Sequence, residues 1–237
     1  MAMLLGGHKG GTSFLPDRTG VGHEGPVAQT PLLQGLSPDE LKALIGSGAS
    51  HRIPRQQVVF CAGETLGHFY MVLAGSFKLI RQSTEGKELI VALARRGEFF
   101  GALAEPIESR SAVQAVEDSA LWAVPVAAMR RTLAQNPDFA IRLLHFAQRR
   151  QDAVETTATR LAFESVAERL AHLLLDVANP RSGELDTPLN QTEIANLIGS
   201  SRETVCSILN QFRRRGLLTI NRGQLRVTDR ERLSSTK

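Results

Sequence analysis

The chain has 237 residues, enough for two small domains and tight for three, with 42% hydrophobic and 22% charged residues, the balance of an ordinary globular protein. No run nears the roughly eighteen apolar residues of a membrane helix. Residues 1–25 hold no apolar stretch long enough for a secretory signal, so a cytoplasmic location is expected. A net charge of +4 decides no partner by itself. Cys61 and Cys206 sit in no CxxC or Cys/His cluster, which excludes a zinc or iron–sulfur site built on local ligands; no metal is expected.

The Gly-containing residues 1–30 read as a disordered tail. Residues 31–135 change in character. Short apolar runs at Val58–Phe60, Phe69–Ala74, Phe77–Ile80, Leu89–Leu93, Phe99–Phe100 and Leu121–Val124 are punctuated by Gly63, Gly75, Gly86, Gly97 and Gly101. Many short strands at this spacing predict an antiparallel sandwich or roll, which can enclose a small ligand.

Residues 136–163 predict one long helix. Pro137 suits a first turn, and neither Gly nor Pro follows as far as Leu161. Ala140, Leu143 or Leu144, Ala147, Val154, Ala158 and Leu161 repeat at an approximate three–four spacing, interrupted by Gln151. That seam suits pairing with a second copy; packing on the chain's own sheet would give the same period.

Residues 164–237 carry the most specific signal, NQTEIANLIGSSRETVCSILNQFRRR at Asn190–Arg215. Asn190 and Glu193 form a capping box, Ile194, Leu197 and Ile198 an apolar face, and Gly199 a turn. Ser200 and Glu203 read as a second capping box. Val205, Ile208, Leu209 and Phe212 then repeat at i, i+3, i+4 and i+7. Two short helices joined by a glycine turn make a helix-turn-helix. Its second helix turns Ser201, Arg202, Glu203, Cys206, Ser207 and Asn210 outward. Arg202 can bond bidentately to guanine and Glu203 can accept from cytosine, while the hydroxyls of Ser201 and Thr204 suit phosphates. From Arg202 to Arg226 there are six arginines against one acid, Glu203, so Arg213 and Arg222 are further candidates for backbone contact. Leu217–Ile220 and Leu225–Val227 around Asn221-Arg222-Gly223 predict a hairpin wing. Double-stranded DNA is the expected partner, and a two-fold homodimer would read a palindrome.

In combination these motifs resemble the cyclic-AMP receptor protein and fumarate–nitrate regulator superfamily of bacterial transcription factors. The resemblance runs from about Leu36 to Val227. It rests on Phe69–Lys78 (FYMVLAGSFK), Glu85–Glu88 (EGKE), Gly97–Gly101 (GEFFG), Arg110–Ala112 (RSA), Asn136–Asp138 (NPD), Leu161–Phe163 (LAF) and Ser200–Val205 (SSRETV). It implies an α+β chain: an N-terminal antiparallel β-roll of the cyclic-nucleotide-binding, jelly-roll type, a long dimerisation helix, a hinge near Phe163–Val166 and a C-terminal winged helix-turn-helix. It also implies contact with RNA polymerase.

The resemblance further implies an effector pocket from Gly101, Ala102, Leu103, Arg110, Ser111, Val154 and Glu155. In cyclic-AMP-binding members a Gly-Glu-Leu stretch starts where Gly101 stands, and its carboxylate holds the ribose hydroxyl. Here Ala102 takes that place, and Val154 and Glu155 replace the threonine and serine that meet the adenine. Arg110 and Ser111, which hold the phosphate, persist. A ribose hydroxyl buried without its acceptor costs on the order of 2 kcal/mol. The implied effector is therefore a small anion, a cyclic nucleotide or a carboxylate metabolite, with ordinary cyclic-AMP binding disfavoured. A ligand-independent or a cyclic-AMP-dependent regulator of the same fold are the alternatives. Cys61 and His68 lack the pattern of the haem-binding branch. Ser207 replaces an arginine that helps to read a TGTGA half-site, so base readout there should change. No Walker loop, metal triad or nucleophile motif is present, and no enzyme activity is expected.

Overall fold

The computed structural model describes residues 27, 28, 30–221 and 224–236. A 3-10 turn, Pro31–Leu33, leads into helix α1 (Pro38–Ser47). The start of α1 follows from sequence: Ser37 accepts from the Glu40 backbone N–H, the Glu40 carboxylate accepts from Ser37 N at 2.7 Å, and Pro38 occupies the first turn.

Ten strands follow: β1 (Ala49–Ile53), β2 (Val58–Phe60), β3 (Thr65–Leu66), β4 (His68–Ala74), β5 (Ser76–Gln82), β6 (Glu88–Arg95), β7 (Phe99–Gly101), β8 (Ile107–Glu108), β9 (Ala112–Ala115) and β10 (Ser119–Pro125). They form two four-stranded antiparallel sheets, β1-β10-β4-β7 and β2-β9-β5-β6, with β3 and β8 as a separate pair. This is the anticipated roll.

Strand β4 is buried on both faces, which is why it reads as an unbroken apolar run rather than an alternation. Tyr70 and Val72 enter the core between the sheets, beside Phe60, Phe77, Phe100 and Leu121. Phe69, Met71 and Leu73 enter a second core with Trp122, Leu44, Met129 and Phe139, under the helices. Successive side chains of a strand point to opposite faces, so one strand joins two cores. Full burial of each such side chain stabilises by roughly 1.5–3 kcal/mol.

Helix α2 (Val126–Gln135) begins where β10 ends, and Asn136 separates it from α3 (Pro137–Phe163). Asn136 caps α3 by accepting from Phe139 N at 2.8 Å. The 27 residues of α3 span about 40 Å. Its N-terminal part anchors on the roll through Phe139 and Leu143, both buried. Farther along, every residue from 151 to 159 is exposed, whichever side of the helix it occupies.

The C-terminal unit comprises α4 (Val166–Val177), α5 (Gln191–Ile198), α6 (Arg202–Arg214), the hairpin β11 (Leu218–Asn221) and β12 (Gln224–Val227), and α7 (Arg230–Ser234). Its core gathers Leu170, Leu174, Ile194, Val205, Leu209, Phe212 and Leu217. Val116, from the turn between β9 and β10, belongs to this same core.

The structure departs from sequence expectation at particular places. The tail expected over 1–30 lies outside the described residues up to 26. Val27 and Thr30, however, are packed, at 1% and 7% exposure, because Val27 joins Leu32 and Phe139 in the apolar layer under the helices. Strands β1, β3, β8 and β9 and helices α1, α2, α4 and α7 were not anticipated. Thr65–Leu66 and Ile107–Glu108 are too short to show a period, and Ala49–Ile53 carries Ser, His and Arg in place of an apolar alternation. The second capping box is also corrected. Ser201, not Ser200, caps α6, accepting from Thr204 N at 3.1 Å, while Ser200 N donates to Ala195 O across the turn.

Candidate DNA-binding surface and effector region

Helix α5 starts at Asn190, whose side chain accepts from Glu193 N at 3.0 Å, while Glu193 Oε2 accepts from Asn190 N at 2.9 Å. It ends on Gly199 at φ 62°, ψ 49°, a left-handed conformation that favours glycine. The turn then delivers α6 with Val205, Ile208, Leu209 and Phe212 buried, so the opposite face is turned outward. Ser201, Arg202, Glu203, Thr204, Ser207 and Arg213 are exposed, and Cys206 and Asn210 are half-buried. Asn210 Nδ2 lies 3.7 Å from Cys206 Sγ. The Ser201 hydroxyl, besides capping the helix, pairs with the Thr204 hydroxyl at 3.0 Å, which presents two hydroxyls beside the helix N-terminus. The Glu203 carboxyl is held below its usual range by its own backbone N–H and by the Ser201 hydroxyl, with a smaller contribution from the Arg202 charge. An ionised acceptor therefore stands next to a guanidinium donor at the start of α6. Arg222 lies outside the described residues. Arg226 on β12 donates to Ser182 O at 2.8 Å and so ties the wing to the loop after α4.

The suggested effector residues fall in three places. Gly101 closes β7 at φ 93°, and a Cβ there would come 2.6 Å from His68 O, so only glycine fits. Ala102 is fully buried between the sheets, with its N–H donating to His68 O at 3.0 Å; Leu103 is half-buried. Arg110 is exposed between β8 and β9, and Ser111 is half-buried, its backbone bound by the Ser109 hydroxyl at 2.7 Å. Val154 and Glu155 lie on the free-standing part of α3, Glu155 accepting from Gln151 at 2.9 Å. The space between the sheets is itself filled: Phe60, Tyr70, Phe77 and Phe100 pack in contacting pairs with ring centroids 5.4–5.9 Å apart, Tyr70 stacked on Phe100 and the others tilted.

The residues suggested for the helix seam divide likewise. Leu143 is only 4% exposed, taken up by its own protomer's core. Ala140 and Ala147 are half-buried, and Val154, Ala158 and Leu161 are exposed. Leu144, the alternative to Leu143 in that seam, is 66% exposed, and Ile141, an apolar neighbour outside the spacing, is 50% exposed.

Two arrangements escaped the sequence reading. Lys78 Nζ on β5 lies 2.7 Å from Glu193 Oε1 on α5, with side chains 12% and 10% exposed. The pair links roll and helix-turn-helix across 115 positions of sequence, which no local pattern reveals. A mid-strand lysine among Phe77, Leu79 and Ile80 was the only hint. The second is a cavity of about 590 Å3 bounded by β6, α3, α4 and the end of α5. Val154 lines it; the other suggested effector residues do not.

A two-sheet roll, a long helix and a winged helix-turn-helix with an exposed basic reading face define a DNA-binding transcription regulator. Residues 50–136 match the family described as cyclic nucleotide-binding domain, and residues 168–236 match the Crp-like helix-turn-helix domain. The cyclic AMP receptor protein of Thermus thermophilus is 30% identical over 203 residues, covering 84% of this chain and 93% of its own. A CRP-like cAMP-activated global transcriptional regulator of Mycobacterium tuberculosis is 28% identical over 216 residues, covering 88% and 96%. Among solved structures, FixK2 from Bradyrhizobium japonicum superposes with a TM-score of 0.73 at 21% identity, covering 79% of this chain and 96% of its own, a likeness of fold. The chain belongs to the cyclic-AMP receptor protein and fumarate–nitrate regulator superfamily of bacterial transcription regulators. Among the described residues no helix is long and apolar enough to cross a membrane.

Proposed function

We propose that the protein acts in the cytoplasm as a homodimer on a palindromic operator, with RNA polymerase as its downstream partner, and that a small anion other than cyclic AMP gates it. The observation that carries the operator reading is the start of α6. There Arg202 and Glu203 are exposed side by side on a helix whose other face is buried. Ser201, Thr204, Cys206, Ser207 and Asn210 complete the base- and phosphate-facing surface, and Arg213 and Arg222 add backbone charge.

Pairing through α3 is supported by the exposure of residues 151–159 on all sides and by the exposed Leu144, Val154 and Leu161. A helix with this much exposed apolar surface leaves area for a twin. Ala158→Glu sets two carboxylates against each other across that seam. Burial of unpaired charge costs several kcal/mol, so dimer dissociation is expected to rise about a hundredfold or more in sedimentation, with operator affinity falling alongside. An unchanged dimer that still binds operator tightly would move the seam elsewhere.

Gating by an anion rests on the retained Arg110 and Ser111 at the loop after β8, and the exclusion of cyclic AMP rests on Ala102, Val154 and Glu155. Ala102 sits in the apolar core between sheets, so no carboxylate from that position meets a ribose. Cyclic AMP is expected to change operator affinity by less than about tenfold, roughly 1.4 kcal/mol of coupling. Micromolar binding with a larger gain in DNA affinity, both lost in Arg110→Ala, would contradict this. The aromatic filling of the roll favours a second reading, a regulator with no ligand in the roll. In that case neither cyclic AMP nor Arg110→Ala changes operator affinity.

A further inference from the structure

The cavity of about 590 Å3 lies where the roll, the long helix and the DNA-binding unit meet. Strand β6 forms one wall, the middle and end of α3 a second, and α4 with the last turn of α5 the third. The volume falls within the range of small-molecule sites, roughly 300–1,000 Å3. Its walls combine two chemistries. Leu93, Phe99, Phe146, Leu161, Leu173 and Ile198 make it apolar, while five arginines, Arg95, Arg149, Arg150, Arg160 and Arg169, line it with two acids, Glu98 and Asp176.

The two carboxylates do not neutralise that charge. Asp176 Oδ2 is occupied by Arg160 at 2.8 Å, and the Asp176 carbonyl accepts from Arg95 at 3.4 Å. Arg149 lies over the Phe146 ring, 4.3 Å from its centroid. Arg150 donates to the Phe99 carbonyl at 2.7 Å, and burial pushes its pKa below the ordinary guanidinium value, against the nearby Glu98 charge. A guanidinium kept partly out of water with a carbonyl as its hydrogen-bond acceptor gains when an anion approaches. A fully polar anion such as free phosphate would leave the apolar walls unused.

From this juxtaposition of an apolar enclosure and surplus guanidinium groups at the joint of the three parts, we infer that the cavity binds a small amphiphilic anion, an apolar chain or ring bearing one acidic head group. The apolar body lies along Leu93, Phe99, Phe146 and Leu173, and the head group meets Arg150. The site is separate from the Arg110–Ser111 loop, which does not line it. Such a ligand touches roll, helix and DNA-binding unit at once, so its affinity depends on their arrangement, and by linkage it shifts that arrangement. Only this last consequence rests on the reading of the protein as an effector-gated regulator; binding itself does not.

The test uses the full chain without DNA. 8-Anilinonaphthalene-1-sulfonate is titrated by fluorescence, then displaced with dodecanoate and, as an uncharged control, dodecan-1-ol. Saturable binding at one site per protomer, displaced by dodecanoate at a concentration at least tenfold below that needed for the alcohol, is expected. Arg150→Gln should weaken dodecanoate about tenfold, about 1.4 kcal/mol, and Ala153→Trp, an exposed position on the cavity wall, should abolish its binding. Both variants should melt like the parent, and Arg110→Ala should bind dodecanoate like the parent. Loss of binding in Arg110→Ala with retention in Ala153→Trp would assign the anion to the roll loop and overturn the inference. So would binding indifferent to both Arg150→Gln and Ala153→Trp, or no saturable binding at all. Operator titration of the parent with and without dodecanoate then reports gating separately. Dodecanoate binding that leaves operator affinity unchanged keeps the site and removes its regulatory role.

Discussion

Glu193→Ala is expected to lower the stability of the chain by about 3–5 kcal/mol, the range for removing one member of a buried ion pair. Glu193 Oε1 and Lys78 Nζ are 2.7 Å apart, and neither side chain keeps more than about an eighth of its surface in water. Alanine leaves the lysine ammonium buried against α5 with no carboxylate. It also opens the capping box, since Glu193 Oε2 accepts from Asn190 N, a further loss of about 1 kcal/mol. The two contributions are separable. Glu193→Gln keeps an acceptor for the box and removes the charge, so it should cost less than alanine while still freeing Lys78. Lys78→Met should then cost less in the Glu193→Ala background than alone, because the unpaired ammonium has gone. Guanidinium unfolding of the parent and these four variants checks this. A Glu193→Ala variant within 1 kcal/mol of the parent would show that the Lys78–Glu193 pair does not hold the two parts together.

Arg202→Ala is expected to be the most damaging exchange for operator binding. Each bidentate contact to guanine contributes about 1–3 kcal/mol of discrimination. A two-fold protein makes that contact twice, so the whole loss should be roughly 2–6 kcal/mol and should fall on one base position of each half-site. Arg202 is the first residue of α6, next to the Ser201 cap. Truncation therefore removes the side chain without removing the hydrogen bond from Thr204 N to Ser201 that sets the direction of the helix. Arg213→Ala sits a little more than three turns farther along the same helix, and should weaken all sequences alike and flatten the salt dependence. Selection from random duplexes separates the two. An Arg202→Ala protein that enriches the parental motif would remove Arg202 from base recognition.

The parts of the fold that were legible from sequence are those held by local rules. Asn190, Glu193 and Gly199 fix where α5 starts and stops through bonds within four or five residues. The i, i+3, i+4, i+7 repeat from Val205 to Phe212 fixes which face α6 buries. Strand β4 was legible as an apolar run, but its division between two cores was not, because Phe69 and Tyr70 look alike until their neighbours are known. The same limit hid the functional joint. Arg95, Arg150 and Arg160 belong to different elements or different turns, and each reads as a solvated charge until β6 and α3 are placed side by side. Leu143 kept the period of the seam yet serves its own protomer, since a three–four repeat does not say which partner it faces.

The two-sided burial of β4 makes that strand a strut between two cores. Tyr70 presses into the ring stack between the sheets, 5.4 Å from Phe100 by centroid, while Phe69 and Met71 press the other way, into the layer that holds Phe139 at the root of α3. Close-packed interiors leave no slack to absorb a displacement. A push on Tyr70 from within the roll is therefore delivered on the far side as a push on Phe139, through Phe69 and Met71 one residue away along the strand. Because α3 extends about 36 Å beyond that foot, a tilt of a few degrees at Phe139 becomes a shift of an ångström or two at Phe163. The roll thus stands to α3 as a short arm to a long one.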